Sequence, residues 1–191
     1  MPRRSSELAV LRKGGPVSGL NKGLNKVEVS LKWDPAPLGA PPCDLDIIAA
    51  TFTTDALQEP DYLVSFDSRS PDGTITLNRD SQTGQGFGAD EVMTLELERL
   101  APRYVRVLVG VAIQQQGGVQ RTFGEVQNTQ VKLREGYTEL VEHDFAAVAD
   151  ATAAKVAEFV RTGTGGWELR GDIQGYDADP GALPWLMSAS E

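Results

Sequence analysis

The alternation of apolar and polar positions along the chain predicts a protein built mostly of strands. Val27, Val29, Leu31 and Trp33 alternate with Glu28, Ser30 and Lys32, the two-residue period of a strand with one buried face. Leu45, Ile47, Ile48, Ala49, Ala50 and Phe52 predict a second strand, whose first turn of chain carries Asp44 and Asp46. Residues 62–66 and 74–77 read as two further strands joined by the turn Ser70-Pro71-Asp72-Gly73, with proline and glycine where a tight turn wants them. Residues 92–97 and 104–113 follow, and the second run is apolar on both faces, which places it at the centre of a sheet. Extended segments are also expected at 122–133, 137–144 and 167–175. The one helical pattern lies at roughly 145–162, an alanine-rich stretch in which Val148, Thr152, Val156, Phe159 and Val160 share a face at helical spacing.

Many short strands punctuated by Gly, Pro and Asp turns predict a mainly β fold, a sandwich of two sheets with one or two short helices packed at the side. Residues 35–42 contain four prolines and must be loop, and 78–88 reads as a glycine-rich polar loop. The turn signals Gly14-Gly15-Pro16 and Asn21-Lys22-Gly23 bracket a short extended stretch. With 191 residues and no internal repeat, the chain reads as one domain over 11–183, preceded by a flexible leader at 1–10 and followed by a tail at 184–191. Apolar residues make up 40% of the chain, enough for a substantial core.

Charge changes this picture from fold to chemistry. The formal net charge is −9, and an acidic surface argues against nucleic acid as a partner. The acids are unevenly placed: residues 44–91 hold ten Asp or Glu against only Arg69 and Arg79, a formal −8. Residues 1–32 run the other way, with seven Lys or Arg against Glu7 and Glu28, and the basic leader reads as a solvated tail. The single cysteine, Cys43, fits a reducing compartment and reads as a small, partly buried side chain. The chain has no apolar run approaching the ~18 residues of a membrane span, and no signal peptide follows Arg3 and Arg4, so a cytoplasmic protein without a transmembrane segment is expected.

Within the acidic segment, Asp44 and Asp46 fall on the same face of a strand, and like charges that close call for a cation or a proton. Asp80 opens the loop Ser81-Gln82-Thr83-Gly84-Gln85-Gly86-Phe87-Gly88, which ends at Asp90 and Glu91. Acids at both ends, hydroxyls at Ser81 and Thr83, and glycines that let carbonyls turn inward are what a hard cation such as Ca2+ needs to gather six to eight oxygens. Asp67 and Asp72 are further candidates. Zinc fits badly with one Cys and one His in the chain, and magnesium prefers fewer carboxylates with more water. Solvated loop acids and a metal site both remain open on composition.

These residues also resemble a known family. Leu11-Arg12-Lys13-Gly14-Gly15 is similar to the opening Leu-x-Lys-Gly-Gly of the TerD (tellurium-resistance) family, and Val27-Glu28-Val29-Ser30-Leu31-Lys32-Trp33-Asp34 to its Val-x-Val-x-Leu-x-Trp-Asp strand. Asp44-Leu45-Asp46, Ser70-Pro71-Asp72-Gly73-Thr74 and Asp80-Ser81-Gln82-Thr83-Gly84-Gln85-Gly86 resemble the Asp-Leu-Asp, Ser-Pro-Asp-Gly-Ser and Gly-Asp-Asn-x-Thr-Gly-x-Gly motifs. Thr122-Phe123-Gly124-Glu125-Val126, Gly166-Trp167-Glu168-Leu169 and Gln174-Gly175-Tyr176 extend the resemblance to nearly the whole chain. It implies a TerD-like β-sandwich that binds Ca2+ through Asp44, Asp46, Asp80, Asp90 and Glu91, with Asp72 less central. It also implies a non-enzymatic role in bacterial stress, of the tellurite type, among stress-response or membrane-associated proteins, and a place peripheral to the inner face of the membrane.

Three departures bear on the metal. Arg79 stands where the family has Gly, Ser81 where it has Asn, and Ala89 where Asp-Asp-Glu has its first acid. Fewer negative charges predict weakened calcium binding. A metal-free interaction scaffold with a degenerate calcium site is the alternative, and an enzyme using two of the acids as general acid and base is the remaining one. His143 is the only histidine and no Gly-x-Ser-x-Gly motif is present, so no triad is expected. Trp33, Trp167 and Trp185 read as packing residues, Trp33 with a secondary part in shaping the mouth of the site.

Overall fold

The predicted strand at 27–33 forms β1 (Lys26–Lys32), with Val27, Val29 and Leu31 wholly buried. The computed structural model describes residues 23–118 and 120–189. The leader at 1–10, the motif at 11–15 and the turns at 14–16 and 21–22 lie outside the described residues. The first sheet has five strands, in the order β4 (Ile75–Arg79), β5 (Glu91–Glu96), β1, β7 (Gln130–Glu135) and β8 (Thr138–His143). The second runs β10 (Trp167–Arg170), β9 (Ala153–Arg161), β6 (Tyr104–Ile113), β2 (Leu45–Thr53) and β3 (Tyr62–Val64), with β11 (Gln174–Tyr176) also paired to β9. Neighbouring strands are antiparallel throughout.

The two inner faces meet in one apolar core, built by Val29, Leu31, Met93 and Leu133 from one side and Leu45, Ile47, Val109 and Phe159 from the other. The outer face of the second sheet is covered too. There Ile48, Ala50, Phe52, Leu108 and Ala112 pack under a helix, α1 (Leu183–Ala189), through Leu183 and Met187. Burial on both sides explains why β2 and β6 carry apolar residues on both faces and not on one alone.

Residues 145–162 are not a helix. Residues 146–148 form one 3-10 turn, and Ala153–Arg161 is a strand. Two features give that strand its helical disguise. It is buried on both faces along most of its length, so alanines and valines stand on both, and its charged residues Lys155, Glu158 and Arg161 fall three apart and not on alternate positions. A bulge also breaks its register, since Val109 faces Ala157 while the next residue, Gly110, faces Lys155. Val156 and Ala157 consequently both point into the core. Strands form at Tyr62–Val64 and Ile75–Arg79, the second running two residues into the expected loop, but they belong to opposite sheets, so the turn at Ser70-Pro71-Asp72-Gly73 crosses the sandwich instead of closing a hairpin. In 122–133 the strand starts only at Gln130; Thr122 and Glu125 first close a 3-10 turn with a reciprocal capping box. Helix α1 occupies most of 184–191, where the sequence suggested a tail; it is seven residues long and too short for periodicity to register.

Gly110 makes room for α1. A Cβ there would sit 2.7 Å from Leu183 Cδ2 and from Met187 Sδ, so any side chain must displace both from their buried seats. Gly110→Val should destabilise the fold by about 2 kcal/mol, the usual cost of overpacking, and expose the C-terminal segment. Urea melts together with limited proteolysis at 183–189 would register both effects.

Candidate metal centre

Strand alternation places Asp44 and Asp46 on the same side of the β2 strand as Ile48, at the end of the second sheet. From the other sheet, β4 runs through Arg79 to Asp80, and the loop 81–88 returns to β5 at Glu91. The crossing brings one oxygen each of Asp46, Asp80 and Glu91 within 4.8 Å of one another. Asp80 is exposed, Asp46 is 3% exposed and Glu91 is wholly buried. Glu91 reaches across because β3 pairs with β2 only at Ala49, Ala50 and Thr51. The Ile47 amide lies beyond β3 and donates to Glu91 Oε2 at 2.6 Å. Glu91 Oε1, Asp46 Oδ2 and Asp44 Oδ1 are buried without any hydrogen-bond partner. Buried carboxylate oxygens left unpaired are costly unless a cation or proton meets them.

Asp44 and Asp67 lie outside that convergent group, and Asp90 and Asp72 make hydrogen bonds elsewhere. Asp90 is buried, accepts the Trp33 amide at Oδ2 (3.0 Å) and donates its own N–H to Leu31 O (2.8 Å), so it fastens the end of β1 to β5. Asp72 Oδ1 accepts from Ser70 Oγ (2.6 Å), Thr74 Oγ1 (2.6 Å) and Thr74 N (3.0 Å) within its own turn. Neither lies in the convergent group.

Proton affinities follow these surroundings. Slight burial of Asp72 is outweighed by the hydrogen bonds from Ser70 and Thr74, which hold its carboxyl below the usual range. Burial and then the charge of Asp80 push Asp44 up. Burial, followed by the charges of Asp44, Asp80 and Asp67, takes Asp46 to about 7. Burial and the adjoining Asp80 carboxyl take Glu91 to about 10. Both groups titrate near 4 in an unfolded chain, so above that pH the metal-free native state keeps protons the unfolded state has lost. Stability of the metal-free protein should therefore be fullest below about pH 4, fall through about pH 7 as Asp46 ionises, and go on falling towards about pH 10 with Glu91. Urea melts across that range in chelator would show the decline, and saturating calcium should flatten it. A metal-free stability that rises with pH would contradict the geometry.

Trp33 holds the site together. Its indole Nε1 donates to Cys43 O (3.0 Å), one residue before Asp44, and its ring lies under the 80–88 loop. Gly84 has φ +68, and a Cβ there would come 2.5 Å from Trp33 Nε1. The loop is further shaped by Ser81 Oγ, which accepts Gly84 N–H at 3.3 Å, and by Thr83 Oγ1, which accepts Gln85 N–H at 3.4 Å. Arg79 does not enter the acid cluster: its Nη2 lies over Gly86, 3.3 Å from where a Cβ would stand, and no ion pair joins it to an acid among the described residues. Gln114 and Gln116 line a cavity of about 300 Å³ with Asp44, Asp46, Asp80 and Thr83, and Gln114 N–H donates to Asp44 O at 2.8 Å. No local pattern announces these glutamines; they arrive because β6 runs antiparallel to β2, pairing Ile113 with Leu45. The donors that line the cavity are all oxygens, which suits a hard cation of calcium size. Cys43 is buried, and that burial raises its thiol pKa, which suits a packing role.

Residues 9–184 match the TerD domain family model. The chain is 27% identical over 173 residues to tellurium resistance protein TerD of Serratia marcescens, covering 87% of this chain and 90% of that one. A solved homologue of telluride resistance protein (TerD) from Streptomyces coelicolor A3(2) superposes with a TM-score of 0.85 at 52% identity, over 88% of this chain and all (100%) of the other. SAV2460, a solved protein of unknown function, superposes with a TM-score of 0.86 at 55% identity, over 89% of this chain and 100% of its own.

Proposed function

This chain belongs to the TerD domain family, and from that premise we propose that it is a non-enzymatic Ca2+-binding domain of a bacterial, tellurite-type stress response. The observation that carries this reading is the convergence of Asp46, Asp80 and Glu91, where Asp46 and Glu91, like Asp44 beside them, each hold a buried oxygen without a partner. Asp46, Asp80 and Glu91 are the central ligands, Asp44 completes the carboxylates, and Gln114, Gln116 and loop carbonyls offer neutral oxygens. Asp90 and Asp72 support the strands and the turn around the site and do not act as ligands. Ala89 leaves one carboxylate fewer than the family motif, which sets the affinity lower, while Arg79, held over Gly86, costs little.

In the cell the domain acts in the cytoplasm, peripheral to the inner face of the membrane, with other stress-response proteins. Among the described residues no helix is long and apolar enough to cross a membrane. Calorimetric titration with CaCl2, paired with melting curves in calcium and in chelator, tests the metal reading. Saturable uptake with a calcium-dependent rise in melting temperature is expected. Neither heat nor a melting shift would end it and leave the metal-free scaffold.

A further inference from the structure

Apolar side chains stand in water on the loops that bound the acidic cavity, which Pro42, Gln82 and Thr83 help to line. Leu38 and Phe87 are fully exposed, and Phe66 is 51% exposed. Single exposed apolar residues need no explanation, but one lining an acidic cavity and two more on the loops that bound it do. Phe66 lines that cavity beside Asp44, Asp46 and Asp80. Leu38 lines an adjoining hollow with Thr83 and Gln85, two residues before Phe87. Each of the two outer residues is displayed by its backbone. Leu38 occupies the tip of a tight turn closed by Ala40 N–H donating to Pro37 O at 2.9 Å, with Gly39 at φ +86. Phe87 sits between Gly86 (φ +142) and Gly88 (φ +85). Turn tips of this kind ordinarily carry polar residues.

We propose that these loops dock directly on an anionic phospholipid surface, with lipid phosphate oxygens completing the coordination of the bound cation and Leu38 and Phe87 entering the acyl boundary. The proposal rests on the cation reading above. A membrane is favoured over a protein partner because the apolar groups are separate projecting tips on the loops that bound a polar cavity, a shape that meets a deformable interface and not a preformed pocket. The sign of the charge makes docking conditional. The segment 44–91 carries a formal −8, so an anionic leaflet repels it until a cation neutralises the cavity. The same unpartnered buried oxygens, Glu91 Oε1 and Asp46 Oδ2, point to the ligand that must arrive first.

The test is co-sedimentation of the full chain with vesicles of phosphatidylcholine alone or mixed with phosphatidylglycerol, each in calcium and in chelator. Binding is expected only with phosphatidylglycerol and calcium together. Leu38→Ser and Phe87→Ser should keep the wild-type calcium titration while each weakening vesicle binding about tenfold, from the loss of one inserted side chain. A wild type that takes up calcium in calorimetry but sediments equally in calcium and chelator overturns the docking while leaving calcium binding intact. A chain that takes up no calcium removes both. Vesicle binding unaffected by the two serine variants overturns the insertion. Calcium-driven self-association in the absence of vesicles, lost in the same variants, would overturn it by assigning the tips to a protein contact.

Discussion

Asp46→Asn should make the metal-free protein more stable and at the same time abolish its response to calcium. Asp46 is buried, one of its oxygens has no partner, and Asp44, Asp80 and Asp67 all act on it with like charge. At pH 8 the wild-type carboxylate, with its pKa near 7, is held ionised at a cost that the neutral amide does not bear. One unit of pKa displacement is worth about 1.4 kcal/mol, so relief of about 2 kcal/mol is expected after the amide's own imperfect hydrogen bonding is set against it. For a protein of this size that raises the melting temperature in chelator by roughly 4–8 °C. In calcium the order reverses or closes. Wild type gains about 2.7 kcal/mol at a calcium concentration a hundred times Kd, whereas the variant gains nothing. Differential scanning calorimetry of both proteins in both conditions reads the whole comparison. A variant that melts lower than wild type in chelator would show that the repulsion is absent, and one that still responds to calcium would remove Asp46 from the ligands.

Strands were legible wherever burial was one-sided or long. β1 alternates cleanly because only its inner face is apolar. β6 revealed its central place by being apolar on both faces, with Arg106 the one charged residue in it. β9 was hidden for a physical reason: burial on both faces put apolar residues on both, and with the bulge opposite Val109 its charged residues Lys155, Glu158 and Arg161 fall at helical and not alternate spacing. The acids were legible as a cluster because charge imbalance is a property of composition. Their division of labour was not. Nothing in the sequence distinguishes Asp90, which accepts the Trp33 amide, from its neighbour Glu91, whose Oε1 is left unpartnered at the centre of the site. Neighbouring residues in a strand face opposite sides, so the register of β5 against β1, pairing Leu31 with Glu91, makes the choice. Asp72 looked like a ligand because the turn motif places an acid beside a glycine. Its three hydrogen bonds to Ser70 and Thr74 are local ones, of the kind Asp makes in turns everywhere.

Gly84→Ala should be the most damaging single methyl at the site. Two independent costs meet there. Gly84 sits at φ +68, where an L side chain is strained by about 1–2 kcal/mol. The new Cβ would also fall 2.5 Å from Trp33 Nε1 and 2.7 Å from its Cδ1, within a ring that is itself 1% exposed and tied to Cys43 O. Trp33 cannot retreat without losing that hydrogen bond, so the loop must move instead, and Asp80 moves with it. A total destabilisation of about 3 kcal/mol is expected, a fall of roughly 6–12 °C in melting temperature. Calcium affinity should drop at least about tenfold, because a displaced Asp80 no longer meets Asp46 and Glu91 at one point. Gly88→Ala separates the two causes: it shares the positive φ (+85), but nothing lies within 4 Å of its Cβ. It should therefore lose about 1–2 kcal/mol from strain and leave calcium affinity near the wild-type value. If both alanine variants weaken calcium alike, backbone conformation and not the seat on Trp33 sets the loop, and the indole is only part of the core.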